Sequence, residues 1–220
     1  MSSQVFCTAP NSLVRSDVDK FLSEMGANPA GRLIFALDAT ASRQPTWDMA
    51  CKLQSEMFHE ACGLSVQLVY YRGFDECKAS RFAANPAELL RMMERLDCRS
   101  GVTQIGKILA HAKREHGVLP VAALVFVGDA LEEAADPLIA TAKELGVATF
   151  MFQEGDDPFV EQIFRRIAEA TGGAWARFDA GAARQLAELL TAVAAFAIGG
   201  KAALEGRKDE ASVRLLGQMK

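Results

Sequence analysis

The sequence predicts an α/β fold, Rossmann-like and doubly wound, with a mostly parallel central sheet and helices on both faces. Three observations carry that expectation. Leu33-Ile34-Phe35-Ala36-Leu37 and Val121-Ala122-Ala123-Leu124-Val125-Phe126-Val127 are apolar runs without polar alternation, which suits strands covered on both sides. Segments of this kind alternate along the chain with stretches of helical period, as in βαβ units. Both runs end in a carboxylate, at Asp38 and at Gly128-Asp129. Ligand sites of doubly wound sheets lie at such strand ends.

The elements follow in order. Residues 1–30 form an N-terminal extension in which Ser16 caps a short helix through Met25, with Val18, Phe21, Leu22 and Met25 on one face. Gly26 to Gly31 breaks it before the first strand. Beyond Asp38, the hydroxyls of Thr40 and Ser42 recur at alternate positions, and Pro45-Thr46 opens a helix that buries Ala50, Leu53, Met57 and Ala61 and ends at Gly63. Leu64 to Tyr71 is the next strand. Cys77 to Phe82 is more polar and fits a charged edge strand. Asn85-Pro86-Ala87-Glu88 reads as a cap followed by Pro and an acidic first turn, and the cap-then-Pro pair recurs at Asp136-Pro137 and Asp157-Pro158. These three helices bury Leu89, Leu90, Met93 and Leu96; then Leu138, Ile139, Ala142 and Leu145; then Val160, Ile163, Phe164 and Ile167. Ser100-Gly101-Val102-Thr103 precedes another helix starting near Gln104. Val147 to Phe152 and Trp175 to Phe178 are the remaining strands, and Ala182 to Ile198 is the last helix of a domain spanning 31–198. A charged tail, 199–220, follows Gly199-Gly200, with Leu204, Val213, Leu215, Leu216 and Met219 as scattered anchors for docking on the domain or a partner.

Composition narrows the function classes. The 220 residues are 50% hydrophobic, enough for one well-buried core. A formal net charge of -4, from 24 Lys+Arg against 28 Asp+Glu, disfavours nucleic acid as a partner. The N-terminus lacks the basic start and apolar run of a secretory signal, and the most apolar helix, Leu186 to Ile198, is short for a membrane span and contains Glu188. Cys7, Cys51, Cys62, Cys77 and Cys98 are odd in number and lack CxxC spacing, so the expectation is reduced, packing thiols in the cytoplasm, away from membranes. The histidines His59, His111 and His116 form no zinc-protease pair, and the sequence holds neither a Gly-x-Ser-x-Gly elbow nor a phosphate-binding loop ending in Lys-Ser/Thr. Arg43, Arg99 and Lys107 would place positive charge around the rim, while Glu132 and Glu133 pull the potential the other way.

Asp38, Thr40 and Ser42 all offer oxygen, the donor that hard cations take. The same residues also suit a strand-end turn in which they cap backbone amides. Their order Asp-x-Thr-x-Ser, then Thr103 in a Gly-x-Thr-x-Ile loop, then Asp129 closing an apolar strand, resembles the von Willebrand factor type A domain and its metal-ion-dependent adhesion site. The resemblance covers roughly residues 31–197 and departs from the usual pattern at Thr40, where Ser is commoner, and at Ala130, where Gly is. It implies that the hydroxyls of Thr40 and Ser42 touch a divalent cation, Mg²⁺ or Mn²⁺. It implies further that Thr103 is a direct or near-direct ligand and that Asp38 and Asp129 bind the ion or hold its waters. A carboxylate of a protein partner would complete the coordination, and an ATPase or chaperone assembly is a setting in which to look for that partner. The alternative is a Mg²⁺-dependent phosphotransferase resembling the haloacid-dehalogenase phosphatases, with Asp38 as nucleophile. Those enzymes need a second carboxylate two residues on, where this chain has Thr40.

Overall fold

A computed structural model describes residues 31–41, 64–83, 86–179 and 182–219. The expected helices at 16–25 and 46–61, the Asn85 cap, and Cys7, Cys51 and Cys62 lie outside the described residues. The described strands are β1 (Arg32–Asp38), β2 (Ser65–Arg72), β3 (Glu76–Ala83), β4 (Ala123–Gly128), β5 (Ala148–Glu154) and β6 (Ala174–Phe178). The described helices are α1 (Pro86–Met93), α2 (Ile105–Val118), α3 (Ala135–Lys143), α4 (Pro158–Ala170), α5 (Ala183–Glu205) and α6 (Glu210–Leu216).

The strands form one six-stranded sheet in the order β3-β2-β1-β4-β5-β6. All neighbours are parallel except β2 and β3, which make an antiparallel hairpin. The order reverses between β1 and β4, so the strand ends that carry Asp38 and Gly128 adjoin at a topological switch point. β3 is the polar edge strand that the sequence implies, with its solvent-facing charges exposed.

All seven residues of β1 are buried because helices cover both faces. Leu33, Phe35 and Leu37 pack with Leu89 and Met93 of α1, Leu186, Leu190 and Val193 of α5, and Leu215 of α6. Ile34 and Ala36 face the other way, toward Ile105 and Ile108 of α2, Leu138 of α3 and Phe164 of α4. The unbroken apolar run thus divides between two cores by the two-residue period of a strand. On the second face Phe126 stacks with Tyr71 at 6.2 Å and meets Phe164 edge-on at 5.5 Å.

Asp157 caps α4, its Oδ1 accepting the amide protons of Phe159 and Val160. Asp136 does not cap α3. That helix begins earlier, with Ala134 at the cap, and puts Asp136 and Pro137 inside the first turn. The amides there have no intrahelical partner, so Pro costs no hydrogen bond. α5 runs past the expected end at Ile198 to Glu205, across a kink at Gly200, whose φ of 64° suits glycine. Among the described residues it is the one helix long and apolar enough to cross a membrane by length and composition, and one side of it is buried in the core above. Leu204 and Leu215 are buried completely. Beyond α6, the Gln218 side chain accepts the Trp175 amide proton at 3.0 Å and donates to the Trp175 carbonyl at 2.9 Å.

Candidate functional site

The switch point gathers oxygen donors from several loops. Asp38 ends β1 opposite Tyr71 in the β1–β2 register, and only 1% of it is exposed. Its Oδ1 accepts the Thr40 amide proton at 2.8 Å, and the Thr40 hydroxyl bonds to the same carboxylate. Its Oδ2 accepts the Tyr71 hydroxyl at 3.0 Å. Burial raises the Asp38 carboxyl above its ordinary range, and neighbouring Asp129 adds to the rise, against the pull of the Thr40 and Tyr71 hydrogen bonds. The Tyr71 phenol is pushed well above its ordinary value by burial and by the charge of Asp38, which keeps it a hydrogen-bond donor.

Asp129 leaves β4 beside this carboxylate. The β1–β4 register pairs Leu37 with Val127, and a Cβ placed on Gly128 would stand 3.7 Å from that of Asp38. Asp129 Oδ1 is buried and has no hydrogen-bond partner among the described residues. A buried carboxylate oxygen left so carries an uncompensated desolvation cost, about 1–3 kcal/mol or more for a charged group.

Thr103 is fastened to the loop that follows Asp129. Its amide donates to Glu132 Oε2 at 2.7 Å, and its hydroxyl oxygen accepts the Glu132 amide proton at 2.9 Å. The Glu133 carboxylate accepts the amide protons of Ile105 and Gly106, the latter at 2.9 Å. It thereby satisfies first-turn donors of α2 that the cap residue Gln104 does not reach with its side chain. The Thr103 loop is also held from two other sides. The Arg99 amide donates to the Ala39 carbonyl at 3.0 Å and the Val102 amide to the Gly73 carbonyl at 3.1 Å. Gly101 packs so closely on the β2–β3 turn that a Cβ there would lie 2.1 Å from the Gly73 oxygen.

Asp38, Thr40 and Asp129 therefore lie together at the switch point, and Thr103 is bonded to Glu132, three residues beyond Asp129. Ser42 and Arg43 lie outside the described residues. The Thr40 contacts are those of a strand-end turn, and its hydroxyl oxygen is of the hard donor type that divalent cations take. Thr103 accepts one amide proton and retains a second lone pair. No cluster of three or more His, Cys, Asp or Glu suited to a metal occurs among the described residues, so an ion held here would depend on hydroxyls and water as well as carboxylates. The donor set fits a hard divalent cation, and the unpartnered Asp129 oxygen is where such an ion would supply the missing charge.

The expected positive rim is largely spent locally. Arg99 stands 3.9 Å from Asp97, and Lys107 pairs with Asp75 and donates to Gln104 Oε1 at 2.9 Å. No local pattern in the sequence marks Tyr71 as a partner of Asp38. Its role follows from strand register, and the only signal was a polar-tipped aromatic at the end of a buried run.

Comparison of the sequence with protein-family models finds no match, and comparison with curated proteins finds none. Solved structures do match. The SpRpn10 VWA domain superposes with a TM-score of 0.56 at 15% identity, covering 74% of this chain and 95% of that one. BatB from Bacteroides thetaiotaomicron, a conserved hypothetical protein, gives 0.56 at 18% identity, covering 71% and 95%. An aerotolerance-related membrane protein from Bacteroides fragilis gives 0.56 at 18% identity, covering 72% and 96%.

Proposed function

Starting from a chain with the von Willebrand factor type A fold, we propose that it is a non-catalytic protein-interaction module that captures an acidic side chain of a partner through a bound divalent cation, Mg²⁺ or Mn²⁺. Asp38, Thr40, Ser42, Thr103 and Asp129 would hold the ion directly or through water. The observation that supports this most is the buried Asp129 Oδ1, without a partner among the described residues, beside the buried Asp38 carboxylate at the β1–β4 switch point. When bound, the ion would supply Lewis acidity, incompletely neutralised because the hydroxyl ligands are uncharged. The chain's own contribution is positional. Tyr71 and the Thr40 amide orient Asp38, and the reciprocal Thr103–Glu132 bonds fix the spacing of two loops. An acidic residue of a cytoplasmic protein, within an ATPase or chaperone assembly, is the partner chemistry this reading favours over nucleic acid or membrane. Phosphoryl transfer is less well supported, because Thr40 stands where a general acid is needed and its side chain is bonded to Asp38.

Calorimetric titration of the purified full chain with Mn²⁺ and Mg²⁺ tests the proposal. One saturable site is expected, with Asp129→Asn weakening it by about tenfold or more while the circular dichroism spectrum stays unchanged. Absence of saturable binding, or equal affinity in a folded Asp129→Asn protein, overturns it.

A further inference from the structure

Two aromatic side chains stand exposed on the rim that carries Asp38 and Asp129. Phe74 is 79% exposed in the turn beyond the carboxyl end of β2, and Phe159 is 53% exposed in the first turn of α4, beyond the carboxyl end of β5. In the strand order β2-β1-β4-β5 they lie one strand to either side of the β1–β4 switch point. Both belong to the α2 face of the sheet. The turn that holds Phe74 is bonded to α2 through Lys107, and α3 packs against α2 on one side and α4 on the other.

Neither aromatic hangs on a loose loop. Before Phe74, the Gly73 carbonyl accepts the Val102 amide proton at 3.1 Å; after it, the Asp75 carbonyl accepts a proton from Lys107 Nζ at 3.1 Å. Val102 precedes Thr103, so Phe74 is fastened beside a loop of the candidate metal site. Phe159 is pinned through its own amide, which donates to Asp157 Oδ1 at 2.8 Å. Its side chain leaves α4 on the same side as Arg166, two helical turns further on, and Arg166 stands 3.9 Å from Asp136 in the first turn of α3. Phe159 thus lies on the flank of α4 nearer α3, not on the flank where Arg165 stacks over Trp175 of β6 at 3.8 Å. Aromatic groups held this way lose little freedom when a partner covers them.

Building on the cation-mediated reading above, we infer that the partner segment is extended and carries an apolar side chain two residues before its acidic residue and another two residues after it, seated on Phe74 and Phe159. Alternate side chains of an extended chain point to one side, so the carboxylate and both apolar groups would face the rim together. Three inter-strand spacings separate β2 from β5, about 14 Å, and an extended chain advances about 3.3 Å per residue, so a stretch of about five residues spans the two aromatics with its carboxylate midway. Charge selects the same pattern. Glu132 and Asp136 are exposed on the loop and first turn that follow β4, and they repel any carboxylate beyond the one the ion takes. Apolar neighbours therefore fit this rim better than an acidic run does.

The probes are four blocked peptides: Gly-Leu-Ser-Glu-Ser-Leu-Gly, the counterpart with Ser for both Leu, the counterpart with Glu for both Leu, and the counterpart with Gln for Glu. Saturable Mn²⁺ uptake by the full chain is measured first, and each peptide is then titrated calorimetrically into the full chain with Mn²⁺ and in chelator. The Leu peptide is expected to bind about tenfold tighter than the Ser or the triple-Glu peptide, and to weaken about tenfold or more with Gln for Glu or in chelator. Phe74→Ser and Phe159→Ser are each expected to weaken it about fivefold without changing Mn²⁺ affinity or unfolding temperature. Val118→Ser, an exposed apolar position at the far end of α2, is expected to change nothing. With Mn²⁺ uptake intact, the docking assignment alone is overturned by a Leu peptide no tighter than the Ser or triple-Glu peptide, by wild-type affinity in both Phe variants, or by an equal loss in Val118→Ser. Absence of Mn²⁺ uptake removes the cation reading, and the docking assignment falls with it.

Discussion

Tyr71 gives Asp38 a side-chain donor from a neighbouring strand, and both groups are cut off from water. Removing only that hydroxyl, in Tyr71→Phe, leaves the Asp38 Oδ2 without this partner while the ring still stacks on Phe126. Urea unfolding in chelator should show a loss of about 1.5–3 kcal/mol, the range for a hydrogen bond to a charged group. An unchanged midpoint and slope would mean that the hydroxyl does not support the carboxylate. The placing of Asp38 and Asp129 at strand ends is legible in the sequence because each terminates an apolar run, and that of Thr103 at a helix entrance because it stands two residues past Gly101. The role of Tyr71 is not, since its partner is fixed by which residue of β2 stands beside the last residue of β1. In the sequence Glu132 and Glu133 stand out only as charge, whereas in the fold their carboxylates accept amide protons of the Thr103 loop and the first turn of α2.

At the scale of elements, the β2–β3 hairpin carries its own electrostatic signature. Arg72 Nε is 3.0 Å from Glu76 Oε2, and Lys78 Nζ is 3.0 Å from Glu76 Oε1. Arg72, then Lys78, hold the Glu76 carboxyl down to about 2, against an ordinary value of 4.5. The folded state thus takes up this proton less readily than the unfolded one. Its stabilising contribution is present above the ordinary value and is lost as pH falls through about 2. Thermal unfolding between pH 4.5 and 2 should therefore fall more steeply in the wild type than in Glu76→Gln. Parallel curves would show that the pair contributes nothing to the acid limb. Caps divide between legible and illegible for a related reason. Asp157 satisfies amides of its own first turn and could be read from the chain. α2 takes its first-turn acceptors from a loop more than twenty residues away, at Glu133, and no local pattern could reveal that.

For the molecule as a whole, the segment beyond Gly200 is part of the core. Leu204, Ala211 and Leu215 belong to the same buried cluster as Leu33 and Phe35. Leu215→Ala should cost about 2–5 kcal/mol in chemical unfolding, as large-to-small changes in a packed core do. A loss below about 0.5 kcal/mol, the scale of surface substitutions, would show that α6 is not integral to folding. The sequence displays those residues only as scattered apolar positions in a charged stretch, because they are shared between the end of α5 beyond its kink and the short α6. The sheet class and the switch point were far plainer, being written in long uninterrupted runs. The Gln218 amide occupies both backbone hydrogen-bonding groups of Trp175, and Arg214 Nη1 reaches the Arg177 carbonyl at 3.4 Å. Side chains thus stand in for a seventh strand along the outer margin of β6. A second molecule meeting that margin finds its template for lateral growth already taken, leaving the polar, charge-studded hairpin on the far side as the sheet's open border.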